Sequence, residues 1–94
     1  MNLENEPFSN FHDLTEHVMA VKRAHEDELL SKANVVGVGI GYRRIGGEVT
    51  PDLALVVMVS SKVSPDQLLL TDLIPTSIDG VPVDVQEVGD ISAY

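Results

Sequence analysis

Two groups of residues in this chain have the types and spacing that chemistry uses, and the first is a run of glycines. Gly37, Gly39 and Gly41 alternate with bulky residues along Val35-Val36-Gly37-Val38-Gly39-Ile40-Gly41-Tyr42, and close-set glycines are one way a backbone cradles phosphate. A dinucleotide fingerprint needs glycines at its first, third and sixth positions where a helix opens. Counted from Gly37 the sixth residue is Tyr42, and from Gly39 it is Arg44, so the spacing fails. Gly41 and Gly46 stand as far apart as the outer glycines of a P-loop, but Gly47-Glu48 follows where lysine and a magnesium-binding hydroxyl are required. Alternating glycines inside a strand mark instead a close backbone approach, by a packed helix, another strand or a bound peptide.

The second group is histidine with carboxylates. His25-Glu26 opens the zinc-protease pattern, but the second histidine would fall at Leu29. His17 and His25 stand eight apart on one helix, about 12 Å along its axis, too far to share a metal. His25 lies on an apolar stripe and reads as a core or boundary histidine. Glu26, Asp27 and Glu28 are consecutive, so they fan around the helix and cannot converge as an acid/base pair. Arg44-Ile45-Gly46-Gly47 has the form of a zymogen activation cut. No histidine follows it, however, and Gly89-Asp90-Ile91-Ser92 carries isoleucine where a Gly-Asp-Ser-Gly nucleophile motif has serine. The glycines there read as a hairpin turn. No catalytic, metal or cofactor site is assigned, and the chain is expected not to be an enzyme.

The elements that position these residues follow from periodicity. Residues 1–12 have no sustained period and contain Pro7, Ser9 and Asn10, which predicts a flexible amino-terminal arm, with Phe8 and Phe11 able to tack it down. Residues 13–94 form one domain. Leu14, Val18, Val21, His25 and Leu29 make one helical stripe, with Asp13 as cap, Glu16 able to return the bond, and the helix ending near Ala33-Asn34. Residues 35–43 alternate as a strand with a bulky face (Val36, Val38, Ile40, Tyr42) and a bare face (Gly37, Gly39, Gly41, Arg43). A loop over 45–51 leads to a second strand, Leu53 to Ser60. Ser64-Pro65-Asp66-Gln67 predicts a short second helix through Leu70 or Leu73, ended by Pro75. Asp79-Gly80 makes a turn, and residues 81–88 form a third strand that Pro82 places at an edge or at its own start.

The order is α-β-β-α-β, an α+β (α/β-like) fold with a small three-stranded mixed sheet and the helices mainly on one face. The second strand is apolar on both faces, with Leu53, Leu55, Val57 and Val59 on one and Ala54, Val56 and Met58 on the other, so it belongs centrally, in order 1-2-3. Order 2-1-3 would put the glycine strand in the middle instead. Two helices cover one face of three strands, so the arm, a second copy or a further domain is expected to cover the other.

Composition narrows the function classes. The 94 residues allow one small core. Fifteen acidic against six basic residues, net charge −9, argue against nucleic acid, whose phosphates demand clustered Lys and Arg. Absence of cysteine rules out disulfides and thiolate chemistry. No apolar run approaches the roughly 20 residues of a membrane span, and Met1-Asn2-Leu3-Glu4-Asn5-Glu6-Pro7 is acidic where a secretory signal is basic, so the protein is expected to be cytoplasmic and off the membrane.

Residues 34 to about 90 resemble a known segment. The Val-Val-Gly-Val-Gly strand start, the later apolar strand, Lys-Val followed by Leu, Ile-Pro before Asp-Gly-Val-Pro-Val-Asp-Val and a closing Glu-Val-Gly are similar to the non-catalytic segment ahead of the catalytic domain in a group of bacterial trypsin-like serine peptidases, with relatives in plants. That resemblance implies an accessory domain, docking on or restraining a peptidase. The reading is therefore a non-catalytic interaction module. Its candidate surface is Gly37, Gly39, Gly41, Arg43, Ala54, Val56 and Met58, its partner another protein chain (a peptidase or a second copy), and a homo-oligomer is expected. The alternatives are a small ligand binder or enzyme using His25 with nearby carboxylates, and a self-associating structural protein joined by its edge strands.

Overall fold

The computed structural model describes residues 10–89. Among them the chain forms an α-helix, α1 (Phe11–Leu30), and four strands, β1 (Val35–Ile45), β2 (Glu48–Val59), β3 (Ser77–Ile78) and β4 (Val81–Glu87). The strands make one mixed sheet in the order β1-β2-β4-β3, so the fold is α+β. No helix among these residues is long and apolar enough to cross a membrane. Residues 1–9, where most of the expected arm falls, and 90–94 lie outside the described residues.

α1 starts three residues earlier than the stripe suggested. Asn10 is extended, and its Oδ1 accepts the Asp13 N–H at 2.9 Å, so Asn10 is the cap and Asp13 lies in the first turn, where a carboxylate suits the helix dipole. The stripe itself holds, with Val18, Val21 and Leu29 buried and Leu14 packed against the core. The helix closes at Leu30, and Asn34 takes a left-handed φ of 69° as the chain turns into β1.

β1 and β2 run longer than the alternation showed. Only Gly46 and Gly47 turn the hairpin, at φ of 59° and 84°, the paired positive angles of a two-residue connection, so most of the expected loop is strand. β2 lies between β1, antiparallel, and β4, parallel, as its two apolar faces required. Leu53, Leu55, Val57 and Val59 pack with Val18, Val21, Leu29 and Val81 into the core.

The expected second helix is corrected to two 3-10 turns, Pro65–Gln67 and Leu70–Asp72. Its physical weakness is length and pattern. A helix that short is marginal without a packed stripe, and three adjacent leucines, Leu68, Leu69 and Leu70, cannot share one face. The sheet likewise has four strands, since Ser77–Ile78 pairs antiparallel with β4 across the Asp79-Gly80 turn. This strand was too short for alternation to reveal.

Candidate functional site

The register brings the glycines and the second strand's back face together. Gly37 pairs with Met58, Gly39 with Val56 and Gly41 with Ala54. A Cβ built at Gly37 would meet the Met58 methyl at 2.9 Å, and one at Gly41 would meet Val56 Cγ2 at 3.2 Å. The close approach that the glycines announced is thus made by side chains of β2 leaning across the bare strand.

Two members of the expected surface are consequently interior: Ala54 is 0% exposed and Val56 7%. Met58 and the three glycines are half-buried, and Arg43 is exposed. The shape of the hairpin accounts for part of this burial. The Arg44 N–H donates to Asp84 Oδ2 at 3.1 Å, although β2 lies between their strands. In a flat sheet β1 and β4 would stand about 9.5 Å apart, so the hairpin's far end must curl over the back face. Breaks in register between Val35 and Gly37 and between Tyr42 and Arg44 supply the bends. At the second bend the Thr50 hydroxyl donates to the Arg43 carbonyl at 2.7 Å, and the Asp52 N–H donates to Thr50 Oγ1. What remains open is a groove of ≈ 430 Å³ bordered by Arg44, Val49, Met58 and Gln86.

β1 is an outer strand of the sheet, bonded to β2 on one side. On the face shared with buried Leu53 and Leu55, its Tyr42 is 47% exposed and Ile40 is exposed as well. Beyond them Ile45 and Val49 are also exposed. Val35 to Ile45 contains no acidic residue, and no ion pair among the described residues uses Arg43 or Arg44. Sequence reasoning missed Ile40, Tyr42, Ile45 and Val49 as surface. The available signal was length, because an 11-residue strand spans about 37 Å and a 20-residue helix about 30 Å.

His25 stands half-buried at the margin of the core, the boundary place its position on the apolar stripe indicated. His25 Nε2 lies 3.4 Å from Asp79 Oδ2, and its Nδ1 lies 3.8 Å from Glu28 Oε2. His17 Nε2 stands 2.9 Å from the Asp79 carbonyl oxygen. Both rings therefore fasten α1 to the β3–β4 turn, and each nitrogen of His25 already faces a carboxylate. Glu26 is held by Lys22 at 3.1 Å. Among the described residues no three His, Cys, Asp or Glu side chains gather as a metal site.

At the opposite end of the sheet, the crossover from β2 to β3 roofs a cavity of ≈ 310 Å³. The Ala33 N–H donates to Asp72 Oδ1 at 2.9 Å and the Lys32 ammonium to the Thr71 carbonyl at 2.6 Å, fixing the crossover to the end of α1. Leu70, on its outer side, is 86% exposed.

Comparison with known proteins gives one family. Residues 13–89 of the 94 match the model of the NARROW LEAF 1 N-terminal domain. No curated protein matches the chain. The resemblance to the segment ahead of bacterial trypsin-like peptidases is therefore corrected, and the peptidase and bacterial attributions drawn from it are withdrawn.

Proposed function

The chain belongs to the NARROW LEAF 1 N-terminal domain family, and from that premise we propose that it is a non-catalytic protein-interaction module that takes an extended segment of another protein along the open edge of β1. The observation that carries this is the edge itself, an eleven-residue strand that among the described residues has a sheet neighbour on one side only. Natural sheets blunt such edges with lysine, proline or covering chain. Residues 37–42 have neither lysine nor proline, and the bends lie outside them. An added strand would gain backbone hydrogen bonds from the edge and side-chain contacts from Ile40 and Tyr42.

Charge selects the occupant. The guanidinium groups of Arg43 and Arg44, at the end of the flat stretch, form no ion pair among the described residues, in a chain of net charge −9. An aliphatic segment carrying acidic residues at the matching end satisfies them. A second copy fits less well: antiparallel pairing centred on Gly39 sets Arg43 opposite Val35, and it joins two strongly acidic bodies.

A synthetic peptide of alternating valine and threonine ending in two glutamates, compared with the same peptide ending in two lysines, tests the reading by fluorescence anisotropy. The acidic peptide is expected to bind about tenfold more tightly, and Arg43→Glu with Arg44→Glu to reverse the order. Equal affinity, no binding, or a concentration-dependent dimer formed through β1 would each replace this occupant.

A further inference from the structure

We infer that the cavity under the crossover is a second site, for a small amphipathic carboxylate whose apolar body lies between Val59, Ile74 and Val85 and whose head meets Lys62. Three observations lead there. The first is position. β2 and β4 are parallel, and the cavity opens beyond their carboxyl ends, where Val59 and Val85 form one wall. In open sheets with parallel strands, the crevice outside the carboxyl ends is where ligands are held.

The second is lining. Val59, Val63, Leu68, Leu73, Ile74 and Val85 surround a space of ≈ 310 Å³, at the lower end of the range for small-molecule pockets, about 300–1,000 Å³. An apolar interior of that size favours a short hydrocarbon body over a sugar or nucleotide.

The third is charge. Asp72, the acidic residue of the lining, already accepts the Ala33 N–H through Oδ1. Lys62 lines the cavity too, and its own N–H is anchored on Glu87 Oε1 at 2.9 Å, which fixes the root of the side chain. Its ammonium forms no ion pair with a carboxylate among the described residues. The Lys32 ammonium, outside the lining, is taken by the neighbouring Thr71 carbonyl. The site therefore offers an oily chamber with one ammonium, that of Lys62, in its lining, the complement of a hydrocarbon chain ending in an anion.

Titration of isotope-labelled protein with octanoate tests this by amide shifts. Saturable shifts are expected at residues 34, 61–63 and 72–74. Octanol, which keeps the body and drops the charge, should bind about tenfold more weakly. Lys62→Gln should bring octanoate down to the level of octanol without moving the melting temperature. Because the octanoate–octanol comparison uses the unaltered chain, it stands even if a variant fails to fold. Equal binding of the two probes, absence of saturation, or shifts confined to β1 would each overturn the assignment.

Discussion

The amide of Arg44 bonds the carboxylate of Asp84 across an intervening strand. Because an ordinary sheet keeps those strands two spacings apart, this one bond records the curl of the hairpin over Ala54 and Val56, which among the described residues leaves the edge of β1 without a paired strand.

Removing the acceptor should loosen the curl. Asp84→Ala is expected to lower stability by about 1 kcal/mol and to speed hydrogen exchange at residues 43–45. Asp84→Asn, which retains a carbonyl acceptor, should lose less. Chemical denaturation with site-resolved exchange checks both.

The glycines should differ in tolerance. At Gly37 the obstacle to a Cβ is the flexible end of Met58, whereas at Gly41 it is the stiff, branched Val56. Gly37→Ala should be neutral or stabilising by up to about 1 kcal/mol, since it restricts the unfolded chain. Gly41→Val should destabilise by about 1–3 kcal/mol through overpacking. Thermal melts that ranked the two in the opposite order would contradict the packing described.

His25 acts as a tether between α1 and the β3–β4 turn. His25→Leu should reduce stability by about 1 kcal/mol and leave peptide binding at β1 unchanged. Combined with His17→Ala, the loss should be less than additive, because both rings hold Asp79. A double-mutant cycle by denaturant titration reads this coupling.

Leu55 is fully buried at the centre of the sheet, so Leu55→Ala should cost about 2–5 kcal/mol. Exposed Leu70→Ala, in a crossover whose outer side faces solvent, should change stability by under about 0.5 kcal/mol. Equal losses at the two leucines in equilibrium unfolding would refute this division between core and surface.

How far the sequence revealed this arrangement depended on the range of each signal. The spacing of Leu14, Val18, Val21 and Leu29 is a property of one helix and was legible. So was the central place of β2, because its apolarity on both faces is local. The second helix was misjudged since Ser64, Pro65 and Gln67 supply a start signal without a stripe to follow it. The curl was hidden because it joins residues forty positions apart through bends at Val36 and Arg43, and irregular backbone leaves no period. For the same reason Ala54 and Val56 looked like surface, and the exposed Tyr42 looked like one more bulky strand residue.

The most direct test of the central claim is hydrogen exchange along β1 with and without the acidic peptide. Slowed exchange concentrated at residues 37–42, abolished by Ile40→Lys with Tyr42→Lys, is the predicted result. Protection that appears elsewhere while β1 exchanges at its free rate would contradict strand addition at this edge.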